Sequence, residues 1–368
     1  MEPSNSPHTG QPIDISWAGK GTDYIGLGFK IFLLKIITLG IYHFWGKTET
    51  RRKLWNHTRI NSEPLEYTGT GMQLFLGFLI AMLVVFAPIF IGVIIIVSLF
   101  GQQSIALAVF MVCVYVSFLY LIGVAIYSAN RYRLSRTQWR GIRGALKGSA
   151  WAYGWTTFWT TIVTILSLGL AVPWQSIKLQ RIITNNTYFG ETGMQFTGKA
   201  SAVFKYFIIP WLVMVGGLIA LGFLISPYIV QIQAWQEAGG IADPNKILYV
   251  QLMLILHYMG FLVFASVAYA WYQSKYYNYI AEQTHFSNGN FNLTTTAGGL
   301  IWLTLSNVLI VILSLTILTP VAVARVFGYI VDNLSFNGTV DVAGIQQSQQ
   351  SLSKTGEGLA EGFDIGSF

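Results

Sequence analysis

Four long, predominantly apolar runs constrain this chain more than any other feature of its sequence. They extend over about Met72 to Phe100, Ser104 to Ala129, Phe204 to Val230 and Ile247 to Trp271. A helix needs about 20 apolar residues to cross the hydrocarbon core of a bilayer. The runs therefore predict four transmembrane helices in an all-α polytopic membrane protein.

The composition agrees with a membrane protein and excludes a water-soluble fold. Of the 368 residues, 53% are hydrophobic and only 10% are charged, whereas soluble domains contain about 25% charged residues. The formal net charge is +7, but the basic residues lie beside the apolar runs, where cytoplasmic loops normally carry them. The charge therefore indicates orientation in a membrane, and no nucleic-acid partner is predicted. The single cysteine, Cys113, excludes an intramolecular disulfide.

Three shorter apolar stretches differ from the four spans because each is interrupted after about 14 residues. Fourteen helical residues rise only about 21 Å, which is short of the ~30 Å hydrocarbon core. We predict that these broken elements enter the membrane and return to the same side; ordinary tilted helices with a polar kink are the alternative. The residues that we predict to interrupt the helices are Thr38, Gly40, Ser167, Gly169, Pro173, Ser314 and Pro320.

The first two broken elements align without a gap at an offset of 129 residues. Trp45 corresponds to Trp174 and Arg52 to Arg181 in this register. Coincidences of this kind predict an internal parallel repeat of two and a half units, each a broken or re-entrant helix followed by a transmembrane hairpin. The predicted segments are a polar N-terminal tail (1–18), repeat 1 (19–147, broken element about 24–45), repeat 2 (148–296, broken element about 149–174), a half repeat 3 (297–345) and a flexible acidic C-terminal tail (346–368).

The distribution of Lys and Arg distinguishes two topologies. If every apolar element crosses the membrane, there are seven crossings, and Lys178, Arg181 and Lys199 lie on the same outer side as Lys20 and Lys275. If the broken elements return, four crossings remain, and nearly all basic residues lie in cytoplasmic segments, as the positive-inside rule requires. We therefore predict four crossings with both termini in the cytoplasm.

Short polar segments after the broken elements have the composition of β-strands. Tyr67-Thr68-Gly69 and Phe196-Thr197-Gly198 combine aromatic, Thr and Gly residues, and Asn288-Gly289 is a typical hairpin turn. We predict small β-ribbons on the cytoplasmic face.

Only a small number of polar side chains in the apolar segments are candidates for a binding site in the membrane. His257 and Gln251 lie in the fourth span, and Lys30 and Lys35 interrupt the first broken element. We predict all four as candidate binding or pore-lining residues, with a neutral histidine bonded to a neighbouring helix, and lysines extended to lipid phosphates, as the alternatives. A second group of candidates, for contacts with lipid headgroups, follows the second span; it consists of Arg131, Arg133, Arg136, Arg140 and Arg143.

No motif in the sequence indicates catalysis. The five histidines have no metal-like spacing, and there is no Walker loop. We therefore predict no enzymatic activity, no catalytic or metal-binding residues and no cofactor.

A group of short motifs resembles a known family. They are Gly19-Lys20-Gly21-Thr22-Asp23-Tyr24, the run 38–42, Trp45, Arg51-Arg52 and Tyr67-Thr68-Gly69-Thr70. The chain resembles the YjgN family of bacterial inner-membrane proteins (domain of unknown function 898). The resemblance implies a bacterial inner-membrane location and supplies no mechanism.

Two functions remain open on the sequence alone. Broken helices at matching positions of two repeats favour a transporter or channel-like protein for a small or amphipathic, lipid-like solute. The alternative is a non-enzymatic scaffold that recruits a membrane or cytoplasmic protein partner through its cytoplasmic modules and tail. In both cases we expect contact with the lipid bilayer, including anionic lipids.

Overall fold

The computed structural model describes residues 10–237, 243–341 and 345. Within these residues ten α-helices follow one another as five antiparallel pairs, alternately short and long. The short pairs are α1–α2, α5–α6 and α9–α10, and the long pairs are α3–α4 and α7–α8. The helices are α1 (Ile25–Ile37), α2 (His43–His57), α3 (Gly71–Phe100), α4 (Ile105–Arg136), α5 (Ala150–Leu166), α6 (Val172–Asn185), α7 (Ala200–Glu237), α8 (Pro244–Glu282), α9 (Ala297–Leu313) and α10 (Thr319–Asp332).

The four long helices cover the four predicted spans. They contain 30, 32, 38 and 39 residues and are long and apolar enough to cross a membrane. At 1.5 Å per residue they measure about 45 to 58 Å, so each exceeds the hydrocarbon core and continues into the polar region. The second and fourth therefore end later than the apolar runs predict, at Arg136 and Glu282. A π-helical segment, Met82–Phe86, interrupts the regular hydrogen bonding of α3.

The strands join into one layer instead of forming the separate ribbons that the sequence suggests. Eight antiparallel strands are hydrogen-bonded in chain order, from β5 to β12, and a three-stranded sheet and a two-stranded sheet complete the layer. The polar N-terminal segment contributes two of the strands, β1 and β2. The strands are β1 (Gln11–Pro12), β2 (Ile15–Trp17), β3 (Thr58–Ile60), β4 (Glu63–Pro64), β5 (Glu66–Tyr67), β6 (Thr137–Trp139), β7 (Ile142–Leu146), β8 (Thr187–Phe189), β9 (Thr192–Phe196), β10 (Thr284–Phe286), β11 (Gly289–Leu293), β12 (Leu334–Asn337) and β13 (Thr339–Val340).

Each helix pair begins and ends at this strand layer. The strand before a pair is hydrogen-bonded to the strand after it: β2 to β3, β5 to β6, β7 to β8, β9 to β10 and β11 to β12. Antiparallel neighbours place the end of one strand beside the start of the next. All five pairs, short and long, therefore leave the layer and return to it.

The breaks in the three short pairs have the same local geometry. A hydroxyl oxygen accepts a hydrogen bond from the backbone N–H four residues later: Thr38 from Tyr42 at 2.9 Å, Ser167 from Ala171 at 3.0 Å and Ser314 from Leu318 at 3.1 Å. Two consecutive left-handed residues then reverse the chain direction. Their φ angles are 50° and 91° at Leu39 and Gly40, 52° and 87° at Leu168 and Gly169, and 49° and 70° at Leu315 and Thr316.

A proline opens the second helix of two short pairs. Pro173 and Pro320 both lie in the first turn of their helices, where a missing N–H costs no hydrogen bond and the fixed φ angle favours a helix start. The prediction that these prolines interrupt a helix is therefore wrong: the helices before them already end at Leu166 and Leu313, and each proline begins the next helix.

The core lies between the strand layer and the adjoining ends of the helices. Tyr24, Tyr127, Tyr132, Leu54 and Leu146 are each at most 1% exposed there. In contrast, only 6% of the residues in the most apolar window of each long helix are buried. The long pairs therefore extend from the core with almost their whole surface facing outward.

Candidate functional site

A cavity of about 190 Å³ lies between the first and third short pairs. We name it the basic cavity because several of its side chains are cationic. Helices α1 and α2 form one wall, and α10 with its preceding turn forms the other. The lining residues are Gly28, Ile31, Phe32, Lys35, His43, Gly46, Lys47, Thr50, Arg51, Leu54, Thr316, Ile317, Thr319, Pro320 and Val323.

The cationic side chains reach the cavity because of helical periodicity. His43, Lys47 and Arg51 are spaced four residues apart on α2, so they lie on one face of the helix. Lys35 joins them from the last turn of α1. Among the residues that the structure describes, the lining therefore carries three fixed positive charges and an imidazole, and none of these lining residues is Asp or Glu.

Arg51 is the most deeply placed of these cations. It is 2% exposed, and its Nη1 donates a hydrogen bond to the hydroxyl oxygen of Tyr67 at 3.2 Å. Its guanidinium carbon also lies 5.9 Å from the centre of the Tyr67 ring. A buried arginine in such contacts is held in one orientation, which favours recognition of a ligand with fixed geometry.

Close packing holds the two walls of the cavity together. A Cβ atom at Gly28 would lie 2.5 Å from the carbonyl oxygen of Ile317, and one at Gly46 would lie 2.7 Å from Cγ2 of Ile31. Both distances are too short for any larger residue without movement of the backbone or of the neighbouring side chain. Glycine therefore lets α1 approach both the third turn and its own partner helix.

Lys30 belongs to a different contact from Lys35. Its Nζ lies 2.9 Å from a carboxylate oxygen of Glu49, and the Tyr42 hydroxyl donates to the same carboxylate at 2.8 Å. Lys30 is exposed and does not line the basic cavity. Of the two lysines that the sequence singles out, the structure places only Lys35 in the cavity.

His257 and Gln251 are not brought to this site, because they lie on α8. The Nδ1 atom of His257 donates to the carbonyl oxygen of Met253, one turn earlier, at 2.6 Å. Its ring lies 5.8 Å from that of Tyr228 on α7, while Gln251 is exposed. No group of three or more His, Cys, Asp or Glu side chains that could hold a metal ion lies together in the described part of the chain.

The five arginines predicted to contact lipid headgroups have different surroundings. The side chain of Arg131 donates to the Leu146 carbonyl oxygen at 3.1 Å, Arg133 to the Asn130 amide oxygen at 3.1 Å, and Arg140 to Glu63 at 2.6 and 2.9 Å. Arg136 is only 7% exposed, so the structure does not place it where lipid reaches. Arg143 is half-buried on β7.

Three cationic residues of the basic cavity, His43, Lys47 and Arg51, are not predicted as site residues from the sequence. Their spacing of four on a predicted helix is nevertheless a usable signal. Their participation in a cavity depends on the approach of α10, which no local pattern reveals.

Comparison with known proteins agrees with the membrane architecture. The family described as "Bacterial protein of unknown function (DUF898)" matches residues 12–362. The chain belongs to this family. A curated relative, "Inner membrane protein YjgN" of Salmonella typhimurium (strain LT2), is 35% identical over 68 residues, which cover 18% of this chain and 17% of the relative. The match thus spans less than a fifth of that relative's length, and no solved structure matches the chain.

The family membership and the four apolar helices together support a location in the inner membrane. A protein in that location is surrounded by the lipid bilayer, and the lipid is therefore the first ligand to consider for the basic cavity.

Proposed function

We propose that this protein binds an anionic, lipid-like solute in the basic cavity and acts as a transporter or channel-like protein for that class of molecule. The observation that carries the proposal is the convergence of Lys35, His43, Lys47 and Arg51 on one cavity. The proposal includes no catalytic step and no cofactor.

The chemistry of the lining suits both parts of an anionic lipid. Lysine and arginine are the usual partners of phosphate groups, because their hydrogen bonds to an anion are charge-assisted. Ile31, Phe32 and Val323 line the same cavity and provide apolar surface for the start of an acyl chain. The cavity therefore fits a phosphate-bearing headgroup and its linkage to the apolar part.

We further propose that the three short pairs are re-entrant and bring the cavity into one leaflet. The residues at their turns are apolar and exposed: Leu39 is 93% exposed, Leu168 80% and Leu315 75%. Such residues are costly in water and stable in hydrocarbon. Each pair starts and ends at the strand layer. If its turn is inserted in the membrane, the chain therefore enters and leaves the membrane on the side of that layer.

We assign the strand layer and both termini to the cytoplasm. Arg51, Arg131 and Arg181 lie in the halves of their helices that end at the strand layer, and such basic residues favour the cytoplasmic side. The predicted acidic tail, residues 346–368, lies outside the described residues. In this orientation the basic cavity faces the cytoplasmic leaflet, which is rich in anionic lipid.

An internal repeat accounts for the alternation of short and long pairs. Arg52 donates to the carbonyl oxygen of Gly69 at 2.8 Å, and its offset partner Arg181 donates to that of Gly198 at 2.6 Å. The same contact at the same sequence separation supports the proposed duplication. We propose that the third short pair is a further partial copy, because its turn has the same hydrogen bond.

The basic cavity is not a repeated feature, which favours a binding role over a purely structural one. In the second short pair, the offset positions of Lys35, His43, Lys47 and Arg51 are occupied by Thr164, Val172, Ser176 and Gln180. A charge needed only to build the pair would be expected in both copies. The first pair thus carries a function that the second lacks.

The test is the thermal stability of the full chain in a zwitterionic detergent with added phosphatidylglycerol, phosphatidylcholine or inorganic phosphate. A ligand that binds only the folded state raises the midpoint by mass action. We expect phosphatidylglycerol to raise it in a concentration-dependent way and the other two to have little effect. Lys47→Gln should weaken the apparent affinity for phosphatidylglycerol about tenfold, the value of a contact worth about 1.4 kcal/mol.

Lys178→Gln is the matched control, because it removes the same charge from an exposed position on α6, outside the cavity. Its response to phosphatidylglycerol should equal that of the unchanged protein. Equal weakening by both substitutions would show a general charge effect and contradict the proposal. An equal response to inorganic phosphate would show that the cavity recognises a free anion and not a lipid.

A scaffold is the second candidate, and one observation favours it. The acidic residues of the four long helices are limited to Glu237 and Glu282, each at the last residue of its helix, so no carboxylate is available within the spans for ion coupling. A scaffold predicts no lipid dependence of the Lys47 variant and a specific protein partner in crosslinking from native membranes.

A further inference from the structure

A single arginine carries the charge of the third short pair. Among residues 297–331, which form this pair up to the last residue of α10, only Arg325 is charged. It is half-buried and does not line the basic cavity. A cation in an otherwise uncharged helix pair needs an anion or polar partners, because removing its charge from water is costly. The contacts of Arg325 therefore show whether its charge is balanced within the protein.

Two side chains of α9 hold the guanidinium of Arg325. Its Nη1 donates to the amide oxygen of Asn307 at 2.6 Å, and its Nη2 donates to the hydroxyl oxygen of Ser306 at 2.8 Å. Asn307 is 9% exposed and is itself fixed, because its Nδ2 donates to the Ala322 carbonyl oxygen at 3.1 Å. A Cβ atom at Gly21 would lie 3.1 Å from Cγ of Arg325, so the aliphatic part of the side chain packs against the start of the first pair. The guanidinium is thus held in one orientation.

These contacts leave the charge of Arg325 unbalanced. Both acceptors are neutral, and Arg325 forms no ion pair with any residue that the structure describes. A guanidinium has five N–H groups; two are used here, so three remain for a further acceptor. Arginine suits phosphate because its planar group can donate two parallel hydrogen bonds to one anion. The remaining donors of Arg325 therefore suit a phosphate group.

The first short pair balances a charge at the equivalent position with a partner of its own. Equivalent positions are counted from the hydroxyl residue at each turn, eight residues before it and eleven residues after it. In the first pair they are Lys30 and Glu49, which form an ion pair with an Nζ–carboxylate distance of 2.9 Å. In the third pair they are Ser306 and Arg325, so one position is charged and the other is neutral. The counterion that the first pair supplies is therefore left to a ligand in the third.

The depth of Arg325 in the helix pair indicates the source of that ligand. Ser306 lies seven residues before the end of α9 at Leu313, and Arg325 lies six residues after the start of α10 at Thr319. At 1.5 Å per residue, the guanidinium is about 10 Å from these helix ends. One leaflet contributes about 15 Å of hydrocarbon, and the turn extends beyond the helix ends. A turn inserted to the middle of the bilayer therefore places Arg325 close to the lipid phosphates, which long basic side chains reach.

We propose that Arg325, oriented by Ser306 and Asn307, binds the phosphate of an anionic phospholipid in the cytoplasmic leaflet. An anionic headgroup is favoured over a zwitterionic one, because the zwitterionic headgroup carries a cation of its own beside the phosphate. This proposal rests on the re-entrant insertion proposed above, and it does not depend on the ligand of the basic cavity.

The experiment uses the full chain in phosphatidylcholine nanodiscs that contain a small fraction of phosphatidylglycerol with a photoreactive diazirine in its headgroup. After illumination, the attachment sites are located by mass spectrometry. We expect adducts within 302–308 and 321–329. Excess unlabelled phosphatidylglycerol should remove them, and excess inorganic phosphate should not. Adducts on α1 and α2 report the basic cavity separately.

Ser306→Glu tests the charge without removing Arg325. It supplies a carboxylate beside the guanidinium, so it should reduce the adducts at this site about tenfold. Arg325→Gln should reduce them by a similar factor, although its amide can still donate to α9. Thr304→Glu is the matched control, because it introduces the same charge at an exposed position of the same helix, on the opposite face. It should label as the unchanged protein does. Circular dichroism of each variant checks that the helices are retained.

Equal labelling of the unchanged, Ser306→Glu and Arg325→Gln proteins would overturn the proposal, because Arg325 would then only link α9 to α10. Competition by inorganic phosphate as strong as that by phosphatidylglycerol would overturn the assignment to a lipid. Adducts on α1 and α2 without any at 302–308 or 321–329 would overturn the Arg325 site and leave the basic cavity unaffected. Lys47→Gln should reduce only the adducts on α1 and α2; loss of both sets would contradict two independent sites.

Discussion

At the scale of single residues, His57 shows how the fold sets the charge of a side chain. Its Nδ1 lies 2.9 Å from the hydroxyl oxygen of Tyr24, and the rings of Trp17 and Tyr24 pack against it at 5.7 and 5.6 Å. Burial lowers the pKa of His57 and outweighs the opposing effect of nearby Asp23. The folded protein therefore favours the neutral imidazole.

This pKa shift predicts a loss of stability in acid. The pKa of the imidazole in the unfolded chain is about 6.5. Above this pH the imidazole is neutral in both states, and the stability that depends on it is fully present. As the pH falls below about 6.5, the unfolded state binds the proton more readily than the folded state, so the free energy of unfolding decreases until the pH reaches the lower pKa of the folded state. We expect the fall in the thermal midpoint between pH 7.5 and pH 5.5 to be smaller in His57→Asn than in the unchanged protein. Equal falls in the two proteins would contradict this assignment.

Single residues could be predicted from the sequence at the helix breaks but not all around the basic cavity. The positions of Thr38, Ser167 and Ser314 at the breaks could be predicted, because a hydroxyl that bonds its own backbone is a local effect. The contribution of Thr316 and Pro320 to the wall opposite Lys47 could not be predicted, since it depends on a contact between elements almost 270 residues apart in the chain.

At the scale of elements, the turn of each short pair requires backbone with positive φ angles, which has an energetic cost for residues other than glycine. Gly40 and Gly169 have φ angles of 91° and 87°, whereas the equivalent residue of the third turn is Thr316 at 70°. Left-handed backbone is accessible to glycine and costs other residues about 1 to 2 kcal/mol. The third turn therefore carries strain that the first two avoid.

We expect Gly40→Ala to lower the free energy of unfolding by about 1 kcal/mol and Thr316→Gly to raise it by a similar amount. Unfolding in detergent, followed by circular dichroism, measures both. Gly26→Ala is the control, because Gly26 lies within α1 with open space at its Cβ position; there alanine should stabilise the helix by about 0.5 to 1 kcal/mol. A destabilised Gly26→Ala, or a Gly40→Ala without effect, would contradict the turn geometry.

The predictability of elements differs between helices and strands. Four spans could be predicted from composition alone, because 20 or more apolar residues have few alternatives. Single hairpins such as Thr284–Phe286 with Gly289–Leu293 could also be predicted from their turns. The pairing of β6 with β5 and of β10 with β9 could not, because these contacts join strands on either side of a whole helix pair.

At the scale of the whole molecule, the strand layer supports the proposed topology of four crossings. All five helix pairs start and end at this layer. The two ends of a pair therefore lie on the same side of the membrane, whether the pair is short or long. The alternative of seven crossings would place the two ends of each short pair on opposite sides, which the hydrogen bonds between β2 and β3, β7 and β8, and β11 and β12 oppose. We propose that every helix pair returns to one cytoplasmic layer.

Single-cysteine labelling in spheroplasts tests that claim most directly. In a Cys113→Ser background, cysteine replaces Gln103 between α3 and α4, Glu191 between β8 and β9, or Asn288 between β10 and β11, all exposed positions, and an impermeant maleimide is added. We expect only position 103 to react in intact spheroplasts, and positions 191 and 288 to react after permeabilisation. Reaction of position 191 in intact spheroplasts would contradict a single cytoplasmic layer and return the seven-crossing topology.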